Sequence, residues 1–161
     1  MPRNYEFVQV DAFTKTPLAG NPLAVFTDAH GLSDAEMQAL AREMNLSETT
    51  FIFPRQRTIE ARDGIKVRIF TISEELPFAG HPTLGTSLYL YASRGPLEQV
   101  VLDLKVGKVP VRFTPASSDS KSDRVDGKVF GEMRQRDPEF GKIFSREEVA
   151  GAVGIDPGEI A

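Results

Sequence analysis

Glu48 is placed where a proton-carrying side chain would be useful, between the end of a helical pattern and an apolar strand. A positioned carboxylate can take a proton from a small molecule and return it. The alternative is a carboxylate at a sheet edge that faces water or pairs with an arginine. Position alone leaves both interpretations open.

His81 lies between Gly80 and Pro82, where a helical pattern begins. Its imidazole can donate to a carboxylate or oxyanion of a substrate, and the N–H groups of a helix start favour the same anions. The alternative is a packed histidine bonded to a backbone carbonyl. The side-chain amide of Asn21 could also bind a polar ligand, although asparagine before proline equally suits a turn.

Composition excludes several other kinds of chemistry. The 161 residues contain no cysteine, which rules out disulfides, thiolate metal sites and cysteine nucleophiles. The second of the two histidines, His30, follows Asp28 in a turn-like sequence, so a histidine-rich metal site is not expected. No phosphate loop or dinucleotide fingerprint is present. We therefore expect neither a metal nor a cofactor.

Charge and hydropathy limit the kinds of binding partner and the cellular location that we expect. The net charge is −4 and no basic stripe is interleaved with aromatic residues, so we expect no nucleic-acid surface. The apolar runs are too short to span a membrane, and the N-terminus lacks a signal-peptide pattern. We expect a soluble cytoplasmic protein with no membrane association.

Hydrophobic periodicity predicts the elements that must hold these residues. Strands are predicted over residues 5–13, 23–26, 49–53, 65–72, 100–104, 109–113 and 128–134. Helices are predicted over residues 33–44, 82–93 and from Ser145 to about Gly154, the first and last opened by capping boxes. A hairpin turn is expected at 106–108, and residues 117–126 form a polar connector.

The helix predicted at 82–93 contains no charged residue, so protein should enclose it on most sides. We therefore predict an α+β fold, in which a mostly antiparallel sheet wraps around this central helix. No internal domain boundary is visible, so residues 1–161 are expected to form a single domain.

Three ordered segments closely resemble the PhzF-like family, the phenazine-biosynthesis isomerase and its relatives. They are VDAFT and PLAGNPLAV at 10–14 and 17–25, LSETTF at 46–51, and RIFT with ELPFAGHPTLG at 68–71 and 75–85. The specific match covers residues 5–95. The resemblance implies a diaminopimelate-epimerase-like fold, in which two similar domains each wrap a sheet around a central helix.

The same resemblance implies a cofactor-independent isomerase that moves a proton within a small carboxylated substrate. Glu48 matches the family's catalytic glutamate, and Gly80 and His81 match residues that bind or polarise the substrate. Asn21 resembles a substrate-contacting asparagine of the wider epimerase group. The helix start at Pro82 and Thr83 is expected to help hold an anionic group.

One departure from the family concerns length. Family members are about twice as long, and no counterpart of their second-domain Glu-Asp-Pro-x-x-Gly-Ser-like motif occurs here. The chain is expected to be an isomerase if a second domain or a second subunit completes the cleft. The alternative is a catalytically inactive, half-length ligand-binding or interaction domain. Pairing as a homodimer is expected, because the absent half would leave an apolar face exposed.

Overall fold

In the computed structural model, residues 3–95, 97–115, 129–135 and 137–160 are described. The strands are β1 (Phe7–Ala12), β2 (Asn21–Phe26), β3 (Thr49–Phe53), β4 (Ile65–Phe70), β5 (Glu75–Leu76), β6 (Gln99–Leu104), β7 (Gly107–Pro115) and β8 (Val129–Met133). The α-helices are α1 (Asp34–Met44), α2 (Arg57–Asp63), α3 (Gly80–Arg94) and α4 (Arg146–Val153), and a 3₁₀ turn follows at Pro157–Glu159.

The strands form a mixed sheet in the order β1-β2-β3-β4-β6-β7-β8, and β5 pairs with β4 off this path. Adjacent strands are antiparallel except for β2 with β3 and β4 with β6. Each parallel pair is joined by a connection that contains a helix, α1 in one case and α3 in the other, as parallel pairing requires. The predicted α+β class and the mostly antiparallel sheet are confirmed.

Each face of the sheet packs against its own hydrophobic cluster. On the inner face, alternate residues such as Leu23, Val25 and Ile52 join the core that surrounds α3. On the outer face, Phe26 and Phe51 pack with residues of α1. β2 is therefore buried on both sides, which explains why its sequence runs apolar without alternation.

The central helix α3 is longer than predicted, spanning Gly80–Arg94 instead of 82–93. It contacts β1, β2, β3, β6 and β8, so the sheet curls around it as expected. Gly85 permits this close packing, since a Cβ there would lie 2.7 Å from Cδ2 of Leu23. Arg94 and Gly95 end the helix as predicted, with Gly95 at a φ of 93°.

Local capping signals correctly placed two other helices. Ser33 with Glu36 and Ser145 with Glu148 form reciprocal capping boxes at the starts of α1 and α4. α2 was not predicted, because its sequence has no amphipathic repeat and its residues are at most partly buried.

The β6–β7 turn lies slightly earlier in the chain than predicted. The β6–β7 hairpin turns at Lys105 and Val106 instead of 106–108, because Gly107 already begins β7. The predicted polar connector at 117–126 lies outside the described residues. Within the described part of the chain, no helix is both long and apolar enough to cross a membrane.

Candidate active site

Glu48 and His81, predicted separately along the chain, lie in direct contact. Glu48 immediately precedes β3, on the same inward face as Thr50, and the Thr50 hydroxyl lies 2.9 Å from the Thr86 hydroxyl of α3. This packing brings the start of β3 against the start of α3. Oε2 of Glu48 lies 2.8 Å from Nδ1 of His81, and the two side chains are 18% and 10% exposed.

The other ring nitrogen of His81 is bonded to the backbone of Asn21. Nε2 lies 3.0 Å from the Asn21 carbonyl oxygen, which can only accept, so Nε2 must donate. His81 therefore has the backbone-carbonyl bond of the alternative interpretation, and its other ring nitrogen faces a carboxylate of the protein itself. Glu48 pairs with this imidazole instead of the arginine considered in the alternative interpretation.

The hydrogen bonds of His81 define the proton content of the pair. Because the Nε2 proton is directed at Asn21, the contact between Nδ1 and Glu48 needs one further proton. That proton can reside on the carboxyl group or on the imidazole. In either position the pair is neutral overall, and Glu48 can serve as an acid or as a base.

The start of α3 differs from the capped starts of α1 and α4. Ala79 is the N-cap residue and provides no side-chain hydrogen bond. The first-turn N–H groups of Gly80 and His81 have no intrahelical acceptor, whereas Thr83 N–H donates to Ala79. Gly80 is half-buried beside His81, so four of the predicted site residues, Asn21, Glu48, Gly80 and His81, are brought together.

The last two predicted site residues point into the fold. Pro82 and Thr83 are buried, and the Thr83 hydroxyl donates to the Ala79 carbonyl at 2.6 Å. Their described contacts shape the helix start.

Phe13 is a site residue that sequence reasoning missed. Its ring centroid lies 5.9 Å from that of His81, its φ is 63°, and it is 68% exposed. A positive φ at a bulky residue is uncommon and strained. Phe13 lines a groove of about 400 Å³ between β1 and β8, whose other lining residues include Lys15, Leu84, Leu88 and Phe130. No local sequence signal marks a phenylalanine for this backbone conformation.

A charged cluster lies on the strand that pairs with β3. Nε and Nη2 of Arg68 donate to the two carboxylate oxygens of Glu75, and Lys105 donates to the same carboxylate. Burial would raise the pKa of Glu75, but these hydrogen bonds outweigh it and lower that pKa. Glu75 is therefore a structural carboxylate, and within the described ranges no cluster of three or more metal-ligating residues occurs.

A family model described as phenazine biosynthesis-like protein matches residues 10–148. The chain belongs to this PhzF-like family. The match extends well beyond the three motifs and includes every site residue named above.

Among curated PhzF-like relatives, the trans-2,3-dihydro-3-hydroxyanthranilate isomerase of Pseudomonas aeruginosa is 41% identical over 152 residues. That alignment covers 94% of this chain and 50% of the relative. An uncharacterized isomerase of Mesorhizobium japonicum is 39% identical over 160 residues, covering 98% of this chain and 49% of the relative. The chain thus spans about half the length of the curated relatives it matches.

Solved structures of the PhzF-like group show the same fold. A protein described as a predicted epimerase from Pseudomonas aeruginosa superposes with a TM-score of 0.80 at 34% identity, over 98% of this chain and 53% of that one. A PhzF-family protein from Bacillus anthracis gives a TM-score of 0.71 at 30% identity, over 96% and 48%. The fold expected from the family resemblance is confirmed.

Proposed function

We propose that this chain forms one wall of an isomerase site that moves a proton within a small carboxylated metabolite. The contact between Glu48 and His81 carries this proposal, because it places a carboxylate and an imidazole in a partly buried site with one shared proton. Membership of the PhzF-like family and relatives named as isomerases support the same reaction class.

In the proposed reaction, Glu48 takes a proton from a carbon of the substrate and returns a proton to another carbon of the same molecule. The reaction is balanced without an oxidant or reductant, since one C–H bond breaks and another forms. The intermediate is a delocalised anion that needs hydrogen-bond donors. The first-turn N–H groups of Gly80 and His81 are suited to that role, whereas both ring nitrogens of His81 are already bonded to Glu48 and Asn21.

Substrate binding is proposed to use the same end of α3. Asn21 lies beside His81 and would contact the substrate, while Pro82 and Thr83 would fix the orientation of the helix start. The substrate named for the relatives, trans-2,3-dihydro-3-hydroxyanthranilate, is the first candidate to test. The groove beside Phe13 could hold its ring.

Deuterium exchange tests the proposal. The chain is incubated with trans-2,3-dihydro-3-hydroxyanthranilate in ²H₂O, and deuterium incorporation at carbon is followed by NMR. Glu48→Gln should reduce the exchange rate by about 10²–10⁴-fold, because it removes the group that accepts the proton. Unchanged exchange in that variant, with its circular dichroism spectrum intact, would sink the assignment of Glu48.

The second candidate function is an inactive half-length binding or interaction domain that pairs as a homodimer. One observation favours association: large apolar side chains near the C-terminus are exposed, namely Phe140, Ile143, Phe144, Val149, Val153 and Ile155. Saturable substrate binding without any exchange, together with a dimer mass by light scattering, would favour this function over the isomerase.

A further inference from the structure

Three arginines from three elements meet at a cleft of about 660 Å³. Arg55 follows β3, Arg57 begins α2 and Arg94 ends α3. His81 lies in the first turn of the same helix, so at a rise of about 1.5 Å per residue the cleft lies about 20 Å from the Glu48–His81 pair. It is therefore separate from the candidate active site.

Two of these arginines are held by carboxylates. Glu60, whose side chain is 8% exposed, accepts from Nη1 of Arg94 at 2.5 Å and from the backbone N–H of Arg55 at 3.0 Å. Nη2 of Arg55 donates to Asp103 at 2.7 Å. A guanidinium has five N–H donors, and these contacts use only some of them. These contacts thus orient Arg55 and Arg94 and leave guanidinium N–H donors available on both.

The third arginine carries an uncompensated charge. Arg57 is exposed, and no carboxylate within the described ranges pairs with it. The residues that line the cleft include three arginines and one carboxylate, that of Glu60. The lining is therefore positive, although the whole chain carries a net charge of −4.

Apart from Gln99, the remaining side chains that line the cleft are apolar. Ile65 and Val100 are buried in the core, and Leu97 and Val101 are partly buried beside them. A ligand that satisfies the guanidinium groups alone would leave this surface uncovered. The lining fits an anionic group attached to a compact apolar body.

We propose that this arginine cleft binds a small organic phosphate, with the phosphate among the three guanidinium groups and the apolar body against Leu97 and Val101. Planar guanidinium forks match phosphate oxygens in bidentate geometry, which is why arginine is preferred at such sites. The site is additional to the proton-transfer function and does not depend on it.

Phenyl phosphate is the probe. It is titrated at low ionic strength into the full ¹⁵N-labelled chain, and chemical shifts are followed by NMR. Saturable shifts are expected at residues 55–61 and 97–101. Inorganic phosphate should bind more weakly, because it cannot cover the apolar surface, and phenol should produce no shifts at these residues.

Arg57→Gln should weaken phenyl phosphate binding by about fivefold to tenfold, because a charge-assisted hydrogen bond is lost. Arg57→Lys should recover part of that loss. Arg146→Gln is the matched control, since Arg146 is also an exposed arginine at the first position of a helix. It should change the affinity less than about twofold.

Three results would overturn the proposal. The first is the absence of saturable shifts at the cleft. The second is an equal loss of affinity in Arg57→Gln and Arg146→Gln, which would indicate only a general charge effect. The third is a set of shifts confined to the start of α3.

Discussion

Two poorly exposed glutamates lie at opposite ends of the β3–α3 pair, and they are bonded to different kinds of donor. Glu48 faces an imidazole nitrogen of His81, whereas Glu60 accepts from the Arg94 guanidinium and the Arg55 backbone N–H. Arginine and peptide N–H groups can only donate, whereas an imidazole nitrogen can either donate or accept a hydrogen bond. The partner therefore distinguishes Glu48, to which the proposed function assigns proton transfer, from Glu60, which holds the fold together.

The electrostatics of Glu60 follow from its partners. Burial would raise the pKa of Glu60, but the hydrogen bonds from Arg94 and from the Arg55 backbone outweigh burial and lower that pKa. Glu60 thus remains ionised and joins the end of β3 to the end of α3.

The largest expected difference between the two glutamates is in deuterium exchange, when each is shortened by one methylene group. Glu48→Asp is expected to reduce deuterium exchange into the substrate by about 10²-fold, because a displacement of about 1 Å at a reacting group costs that much. Glu60→Asp should leave exchange within about twofold. Equal losses in the two variants would show that both act through the fold, and urea denaturation of each variant provides the control.

Neutralising Glu60 should lower the stability of the fold more than neutralising Glu48. Glu60→Gln is expected to lower the free energy of unfolding by about 2 kcal/mol, because the charge-assisted bonds from Arg94 and Arg55 are weakened at a poorly exposed site. Glu48→Gln should cost less than about 1 kcal/mol. Urea denaturation at pH 7 measures both, and the reverse order would contradict the structural role given to Glu60.

The contribution of Glu60 to stability should depend on pH. Because the folded-state pKa of Glu60 lies below its unfolded value of about 4.3, its ionised form stabilises the fold above that pH. This stabilisation is lost as the pH falls through the folded-state pKa. The stability difference between the native chain and Glu60→Gln should therefore shrink below about pH 4.5, as measured by urea denaturation across pH; a constant difference would contradict the assignment.

The smallest effect concerns the start of α3. Ala79 already has the extended backbone of an N-cap residue, with φ −151° and ψ 143°, but its side chain cannot accept a hydrogen bond. Ala79→Ser should raise the free energy of unfolding by about 0.5–1 kcal/mol. It should also weaken substrate binding, because the serine hydroxyl would occupy first-turn N–H groups. Thermal unfolding and substrate titration measure the two effects, with Ser33→Ala as the opposite change at α1.

Local chemistry made part of the fold predictable. The capping boxes that begin at Ser33 and Ser145 each span only four residues, and each specifies the start of a helix. The alternation of apolar and polar residues in β4 specifies which face of that strand is buried. The start of α3 was placed two residues late because Ala79 gives no capping signal. α2 was missed because Arg57–Asp63 has no amphipathic repeat, and its Glu60 is held by Arg94 from a distant helix.

The site was predictable only in part. Glu48 and His81 could be selected by residue type and by family resemblance, but their 2.8 Å contact depends on packing between β3 and α3. The bond from His81 to Asn21 depends on the parallel pairing of β2 with β3, which no local pattern specifies. Phe13 depends on a left-handed backbone conformation at the end of β1.

The hydrogen bonds of His81 have a consequence for folding kinetics. They join residues separated by 33 and 60 positions in the chain, so the entropy of closing two long loops must be overcome before the site exists. Such long-range contacts raise the contact order of the chain, and a high contact order slows folding. The site therefore exists only after distant parts of the chain have come together, and His81 would serve as a spectroscopic reporter of complete folding.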